Sequence, residues 1–455
     1  MSRAAKHDLT VGPVFSKLIS LAAPLTGGMM MHMLYNLTDM FWLGRVGSGA
    51  VAATGTVGLL LWMSMAFSTF GRMGSEIGVS QNLGRGDEER AKAFAQTAFT
   101  LALIMGTFYA LVMIFGRRWL IGFFDIGDPQ VVRYAENYLM ITGFSMPLAF
   151  ISGGAGSGIY SGSGNTKTPF YIMSFSLGLN IVLTPILIFP MGLGVEGAAF
   201  ATVIAQTIGA SIFLWHMKFH KNRPFKEIKL LGIADKKTLV QIFKWVTPIA
   251  IESFLFTFLT MLVSRFVAQF GTGAMATQRI GSQIESLSWL IGAGFASAMS
   301  SFTGQNFGAL KWSRIHSGYK ISAIIMGTWG VFTTIVLFFG GGFLFSIFLP
   351  DEPEVIAMGA NYMRILAACQ ILGCLEGITA GTFRGLGKTV PPSIVSGTSN
   401  FLRMIAAFFL ARTAMGLDGI WWAITIGAML RGAWILIWFR IHARKLPRED
   451  VLAEV

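Results

Sequence analysis

Long apolar stretches, separated by short polar or charged segments, recur along the chain from about residue 18 to residue 440. An α-helix needs roughly 20 apolar residues to cross the hydrocarbon core of a bilayer. The pattern predicts about twelve such helices, at residues 18–44, 53–80, 93–116, 130–158, 169–190, 195–217, 239–268, 274–303, 321–348, 355–383, 391–413 and 418–440. We therefore predict an all-α polytopic membrane protein. The first stretch is too long for a signal-peptide core and is expected to remain as helix 1.

Composition supports this class, because 53% of the 455 residues are hydrophobic and only 13% are charged. The net charge of +13 follows topology: about 23 Lys or Arg fall in the terminal segments and even-numbered loops. The opposite loops carry only Arg45, Arg117, Arg118 and Arg412. This positive-inside pattern predicts a multi-pass protein of the cell membrane with both termini cytoplasmic. We expect a monomer in the lipid bilayer and no nucleic-acid partner.

The chain repeats itself at an offset of 224 residues. The shift aligns Pro24 with Pro248, "GSGAVA" (47–52) with "GTGAMA" (271–276), "QNLG" at 81 with "QNFG" at 305, and "DPQVVRYAENYL" (128–139) with "EPEVIAMGANYM" (352–363). Because each unit holds an even number of helices, the two copies run in the same direction, which predicts two pseudo-symmetric six-helix bundles with a central cavity. The predicted limits are 14–217 for the N-lobe, 218–238 for a cytoplasmic linker and 239–441 for the C-lobe.

Two glycine-rich segments match parts of nucleotide- or phosphate-binding motifs, but their sequence context excludes both interpretations. "GLGVEG" (192–197) follows a span-length helix rather than a strand, and "GLGKT" (385–389) has Thr382 where a phosphate-binding loop requires its first glycine. The chain contains neither H-E-x-x-H nor G-x-S-x-G. We therefore expect no catalysis, no cofactor and no metal site other than a possible sodium site.

Acidic residues inside the spans are the main candidates for function, namely Asp39, Glu76, Glu252, Glu285 and Glu376. Each costs about 2.5 to 3.5 kcal/mol at the centre of a membrane helix, so each calls for a cavity, a partner or protonation. Glu76 lies one helical turn after Arg72 and is expected to pair with it.

Asp39 lies on a polar face of helix 1 together with His32, Tyr35 and Asn36, at helical spacing. Its counterpart in the second half is Val263, so the repeat keeps the helix but not the charge. This difference indicates a role for Asp39 in chemistry rather than in architecture.

Two neighbouring helices offer oxygen ligands at i, i+4 spacing, Asn180 with Thr184 on helix 5 and Thr202 with Gln206 on helix 6. With Asp39, the side chains of Asn180, Thr184 and Thr202 could hold a hard monovalent cation or hydrogen-bond a protonated carboxyl. A buried polar network with no role in transport is the alternative.

The second half carries a polar stripe of Gln278, Ser282 and Glu285 on helix 8, which is expected to face a cavity. Glu252 lies about one turn past Pro248, and Glu376 lies eight residues before Arg384. Both are candidates for the cavity, with solvation or pairing near a helix end as the alternative.

Four segments together resemble the multidrug and toxic compound extrusion (MATE) family: "PLTGGMMMHMLYNLTDMFWLGRVGSGAVAATG", "SEIGVSQNLGRGD", "GSGNTKTP" and "GSQIESLSWLIGAGFASAMSSFTGQNFGA". The resemblance implies two six-helix bundles, a V-shaped central cavity, and antiport of organic cations or drugs against H⁺ or Na⁺. It also implies a cation site in the N-lobe at Asp39, Asn180 and Thr202.

One departure from the family pattern bears on the coupling ion. The family often has a second aspartate four residues after the asparagine, and this chain has Thr184 there. With one carboxylate fewer, a sodium site is weaker, so H⁺ is favoured over Na⁺. Some members place a coupling acid on helix 7, about one turn from where Glu252 lies.

The runner-up function is a flippase for lipid-linked oligosaccharides, which similar two-lobed folds also perform. A diphosphate would need a strongly cationic cavity, and the spans or their edges contain Arg72, Arg265, Arg279, Arg364, Arg403 and Arg431. These arginines do not share one helix face.

Overall fold

The computed structural model describes residues 8–447 and residue 450, so the two chain ends whose location was predicted lie outside the described residues. The described residues form helices and loops and contain no strand. The helices of the first half are α1 (Val14–Val46), α2 (Ser48–Gly84), α3 (Glu88–Gly122), α4 (Pro129–Gly143 and Met146–Gly162), α5 (Lys167–Ile188) and α6 (Gly194–Phe219).

The second half repeats the same order. Its helices are α7 (Lys236–Ala268), α8 (Thr272–Gly308), α9 (Trp312–Phe348), α10 (Pro353–Ala367 and Gln370–Gly385), α11 (Val390–Leu410) and α12 (Gly416–Ala443). Among the described residues, nine helices are long and apolar enough to cross a membrane, and the bent pairs α4 and α10 bring the number to 11. Helix α8 has 37 residues and is richer in Ser, Gly and Gln than these helices. Counted with them, it gives the predicted number of twelve helices.

The internal duplication is visible in the bends and in one side-chain contact. The fourth helix of each half is bent by 54° in α4 and by 50° in α10. Asn137 of α4 donates to Glu196 of α6 over 2.6 Å, and its counterpart Asn361 of α10 donates to Asp418 of α12 over 2.8 Å. The two six-helix bundles are therefore built on one plan, which confirms the predicted fold class.

The repeated glycine before α2 and α8 has a conformational reason. Gly47 has a φ of 147° and Gly271 has a φ of 95°, a region that residues with a Cβ rarely adopt. Each glycine therefore lets the chain reverse between two consecutive helices, and this accounts for the repeated "GSGAVA" and "GTGAMA".

Contacts divide the chain into two compact units. The beginning of α1 belongs to the unit of the second half, and the beginning of α7 belongs to the unit of the first half. One unit includes Ala23–Ala250, and the other includes Thr10–Ala22 and Ile251–Val455. The divisions fall inside α1 and α7, beside the helix prolines Pro24 and Pro248. The predicted lobe limits at 217 and 239 stay a prediction.

The linker before α7 packs on the first unit. Gln96 of α3 donates to the carbonyl of Leu231 over 2.9 Å, and Thr100 exchanges two hydrogen bonds with the backbone of Gly232, at 2.9 and 3.0 Å. Asp235 then caps α7, because its carboxylate accepts from the backbone N–H of Thr238 over 2.7 Å. The hydrogen bond from that N–H lowers the pKa of the Asp235 carboxyl group.

Candidate functional site

The carboxylate of Asp39 is buried inside the first unit. Asp39 lies on the polar face of the second half of α1, within an otherwise apolar bundle. The residue is 8% exposed. The Thr184 hydroxyl of α5 donates to Asp39 Oδ1 over 3.5 Å, at the long limit of a hydrogen bond. A carboxylate with so weak a partner retains unused acceptor capacity.

Two of the other predicted ligands, Thr184 and Thr202, lie beside this carboxylate. Asn180 and Thr184 are completely buried, one turn apart on α5, and Thr202 of α6 is 6% exposed. The Thr202 hydroxyl faces Asp39 and the phenol groups of Tyr35 and Tyr138, although its oxygen forms no hydrogen bond of good geometry among the described residues. The structure therefore places Thr184 and Thr202 beside Asp39, and Asn180 one helical turn from Thr184.

Several buried polar atoms on the helices that form this site lack a protein partner. Within the described part of the chain, the Tyr35 hydroxyl of α1, both amide atoms of Asn180 on α5 and Gln206 Oε1 on α6 make no hydrogen bond. A buried polar group left unpaired costs roughly 1 to 3 kcal/mol, so such groups in native proteins bind water, an ion or a ligand. Oxygen donors around one carboxylate fit a proton with its hydrogen-bond partners, or a monovalent cation.

Within the described residues, no three His, Cys, Asp or Glu side chains are arranged so that they could hold one metal ion. Asp39 is the carboxylate of the first-unit site, and its neighbours are neutral. Such a ligand set is too weakly charged for a divalent ion to bind tightly. The chemistry that the site supports is the uptake and release of a single positive charge.

Tyr138 is the member of the site that the sequence analysis missed. It lies on α4, 6% exposed, and its phenol is within electrostatic range of Asp39. Its counterpart in the repeat, Tyr362 of α10, is 2% exposed and stands in the same relation to Glu285. The repeated "NYL" and "NYM" in the aligned segments 128–139 and 352–363 was the signal that could have identified both tyrosines.

The remaining predicted residues of helix α1 form a separate contact. Asn36 and His32 are both exposed, and the Asn36 amide lies 3.3 Å from His32 Nδ1. Their hydrogen bond links residues one turn apart, and neither side chain bonds to Asp39. These two residues therefore share the Asp39 helix but not its buried site.

The second unit contains a network of acids and arginines. Glu376 of α10 accepts from Arg431 Nε of α12 over 2.8 Å, and both side chains are largely buried, at 19% and 9% exposure. Glu252 of α7 lies near Glu376 and accepts from the Ser393 hydroxyl over 3.0 Å. The ion pair of Glu376 thus joins two helices within the bundle, rather than lying at a helix end.

Glu285 enters the same network from α8. It accepts from Gln370 Nε2 over 3.2 Å and lies within electrostatic range of Arg403 and Arg431. Arg403 of α11 donates to Thr260 over 3.0 Å. The two arginines that looked unrelated in the sequence are therefore neighbours among three acids.

Aromatic rings cover both guanidinium groups. Arg403 lies 5.6 Å from the ring centre of Phe256, and Arg431 lies 5.8 Å from that of Trp289. Cation–π contacts of this kind stabilise a guanidinium held away from water. The rings therefore help to accommodate both arginine charges inside the bundle.

Gln278 and Ser282 contribute less to this network than the predicted stripe implied. Ser282 is exposed, and its hydroxyl donates to the Arg279 carbonyl of its own helix over 3.0 Å. Gln278 is half-buried, and its Oε1 has no hydrogen-bond partner among the described residues. Of the three stripe residues, Glu285 is hydrogen-bonded to a neighbouring helix, through Gln370 of α10.

Comparison with known proteins gives a consistent result. A family model described as MatE matches residues 24–186 and 248–409. The probable multidrug resistance protein NorM of Thermotoga maritima is 26% identical over 444 residues, covering 94% of this chain and 93% of that protein. The multidrug export protein MepA of Staphylococcus aureus is 24% identical, covering 92% of each chain.

Solved structures share the fold. A structure described as the outward-facing conformation of a multidrug resistance MATE family transporter of the MOP superfamily has a TM-score of 0.90 at 21% identity, covering 98% of this chain and 99% of that chain. A MOP superfamily transporter from Pyrococcus furiosus, whose description reports reverse polarity of its binding pocket, has a TM-score of 0.90 at 22% identity with the same coverage.

Proposed function

Since the chain belongs to the MatE family, we propose that it is a secondary active exporter that antiports organic cations or drugs against H⁺. The observation that carries the proposal is the buried carboxylate of Asp39 beside the hydroxyl groups of Thr184 and Thr202, with hydrogen-bonding capacity left over. The curated relatives named for multidrug resistance or export support drugs as the substrate class.

The coupling step follows from the environment of Asp39. Removing a carboxyl group from water penalises its charged form, whereas an open, hydrated cavity favours it. The protein can therefore take up a proton on Asp39 from outside and release it inside as it alternates between outward-open and inward-open states. A membrane potential adds roughly 2.3 kcal/mol per charge per 100 mV to this inward movement.

H⁺ is the preferred coupling ion because Thr184 supplies a neutral hydroxyl where a second carboxylate would strengthen a sodium site. A Na⁺ ion binds best to several oxygens that include negative charge, and here Asp39 supplies the charge alone. The neutral neighbours suffice to hydrogen-bond a protonated carboxyl group.

The oligosaccharide flippase is a weaker proposal. Arg403 and Arg431 lie together, as a diphosphate site would need, but Glu285 and Glu376 offset their charge. A diphosphate would be repelled by these acids. The acids of the network therefore favour drug export over lipid-linked sugar transport.

Transport in everted membrane vesicles tests the proposal. We expect efflux of a fluorescent organic cation to follow an imposed pH gradient, not a sodium gradient, and Asp39→Asn to abolish the pH-driven component. The control is Asp125→Asn, which neutralises an exposed acid of the same half and should leave efflux unchanged. Efflux by Asp39→Asn at the parental rate would refute coupling at this residue, and efflux driven by sodium alone would replace H⁺ with Na⁺.

We further propose that the protein acts as a monomer in the cell membrane with both termini in the cytoplasm. The proposed orientation rests on the excess of Lys and Arg in the terminal segments and even-numbered loops. Reporter fusions at the two ends that become active on the outside would overturn this orientation.

A further inference from the structure

A basic pocket lies in the second unit, where the first turn of α9 meets the last turn of α12. Its volume is about 660 Å³, and it is lined by Ser313, His316, Arg440, Ala443 and Arg444. Both arginines are exposed, and within the described residues neither forms an ion pair. Two uncompensated guanidinium groups over one pocket make it a strongly positive site on this surface.

An anionic side chain already occupies one edge of the pocket. The Asp450 carboxylate accepts from the backbone N–H of Ser313 over 2.9 Å, and His316 Nε2 lies 3.2 Å from the carbonyl of Pro447. The N–H groups in the first turn of a helix bind anions because they lack partners within the helix. The Asp450 carboxylate marks the position that an anionic ligand would take.

The position of the pocket relative to the spans selects the ligand. The apolar runs predicted at 321–348 and 418–440 end at or before the pocket, whose residues lie at 313–316 and 440–444. At about 1.5 Å per residue, the pocket extends from the ends of those runs to about 12 Å beyond them, which places it on the headgroup side of the bilayer boundary. Basic pockets between helices at this level bind phosphate-bearing headgroups, and arginine forks match phosphate geometry.

We propose that this pocket is a binding site for a phosphate-bearing anion, the headgroup of an anionic phospholipid, and that Asp450 competes with it for the Ser313 N–H. Arg440 and Arg444 bind the phosphate, and His316 borders the pocket on the α9 side. Occupation by lipid displaces the Asp450 carboxylate from the Ser313 N–H. The pocket contains none of the residues of the Asp39 site. A negative result for lipid binding would therefore leave the proposed antiport unaffected.

The test measures binding of phosphatidylglycerol to the purified full-length protein in neutral detergent, by native mass spectrometry and by thermal stabilisation. The substitutions are the double variant Arg440→Gln/Arg444→Gln, the variant Asp450→Asn, and the control Arg412→Gln, an exposed arginine of the same half outside the pocket. We expect the double variant to bind about 30-fold more weakly, equivalent to about 1 kcal/mol per arginine. The control should bind as the parent does.

Competition experiments test whether Asp450 competes with the lipid, and whether the ligand is the lipid headgroup or free phosphate. Asp450→Asn should bind phosphatidylglycerol more tightly, because it removes the competing charge, and inorganic phosphate should displace the lipid only at much higher concentration. Equal binding of phosphatidylcholine, equal losses in Arg412→Gln and the double variant, or a loss in Asp450→Asn would each overturn the proposal. Binding of inorganic phosphate without binding of the lipid would reject the headgroup as the ligand.

Discussion

Replacing Arg431 with Gln should destabilise the second unit, because it leaves the Glu376 carboxylate buried without its partner. The two groups lie 2.8 Å apart and are only 9% and 19% exposed. Two unit charges at this distance attract by about 6 kcal/mol at an effective dielectric constant near 20, before the cost of removing both from water. Glu252 lies close by, so the unpaired Glu376 would also face a like charge.

We expect Arg431→Gln to lower the free energy of unfolding by about 3 kcal/mol, the scale found when one partner of a buried ion pair is removed. Glu376→Gln should cost a similar amount. The double variant Arg431→Gln/Glu376→Gln should lose less than the sum of the two, because no buried charge is then left unpaired.

The assay is reversible unfolding of the purified protein in mixed micelles of increasing sodium dodecyl sulfate content. Arg412→Gln is the matched control, since it removes an exposed arginine and should change stability by no more than about 0.5 kcal/mol. If Arg431→Gln behaves like Arg412→Gln, or if the two single losses simply add, the buried ion pair does not carry the energy assigned to it.

Three further predictions concern the first unit and its linker. Thr184→Asp places a second carboxylate beside Asp39 and should make efflux dependent on Na⁺ in vesicles, whereas unchanged dependence on H⁺ would contradict the ligand argument. Gly158→Ala should lower the melting temperature, because a Cβ there overlaps the backbone of α2, while Gly153→Ala meets nothing within 4 Å and should be tolerated. Asp235→Ala removes the cap of α7 and should cost about 1 kcal/mol. The pKa of Asp235 is lower in the folded than in the unfolded protein. Its charge therefore contributes fully to stability above the unfolded pKa, near 4, and this contribution is lost as the pH falls through the folded pKa. Stability measured between about pH 6 and pH 3 should show this loss.

The sequence alone determined the helix count, the duplication and the class of protein. Apolar runs of span length are dictated by bilayer thickness, and a repeat at a fixed offset survives in the positions of turns and prolines, so both are readable from one chain. The i, i+4 spacing also sufficed to place Asn180 and Thr184 on one face of α5.

The tertiary structure alone decided which distant residues meet. Glu376 and Arg431 are 55 positions apart and on different helices, and Tyr138 reaches Asp39 from α4, so neither relation follows from spacing along one helix. The pairing of charges inside a bundle depends on how helices rotate about their own axes when their side chains pack, and that rotation is a property of all the helices together. For the same reason, the arginines share no helix face in the sequence, and only the packed bundle shows that Arg403 and Arg431 lie near Glu285 and that Arg431 pairs with Glu376.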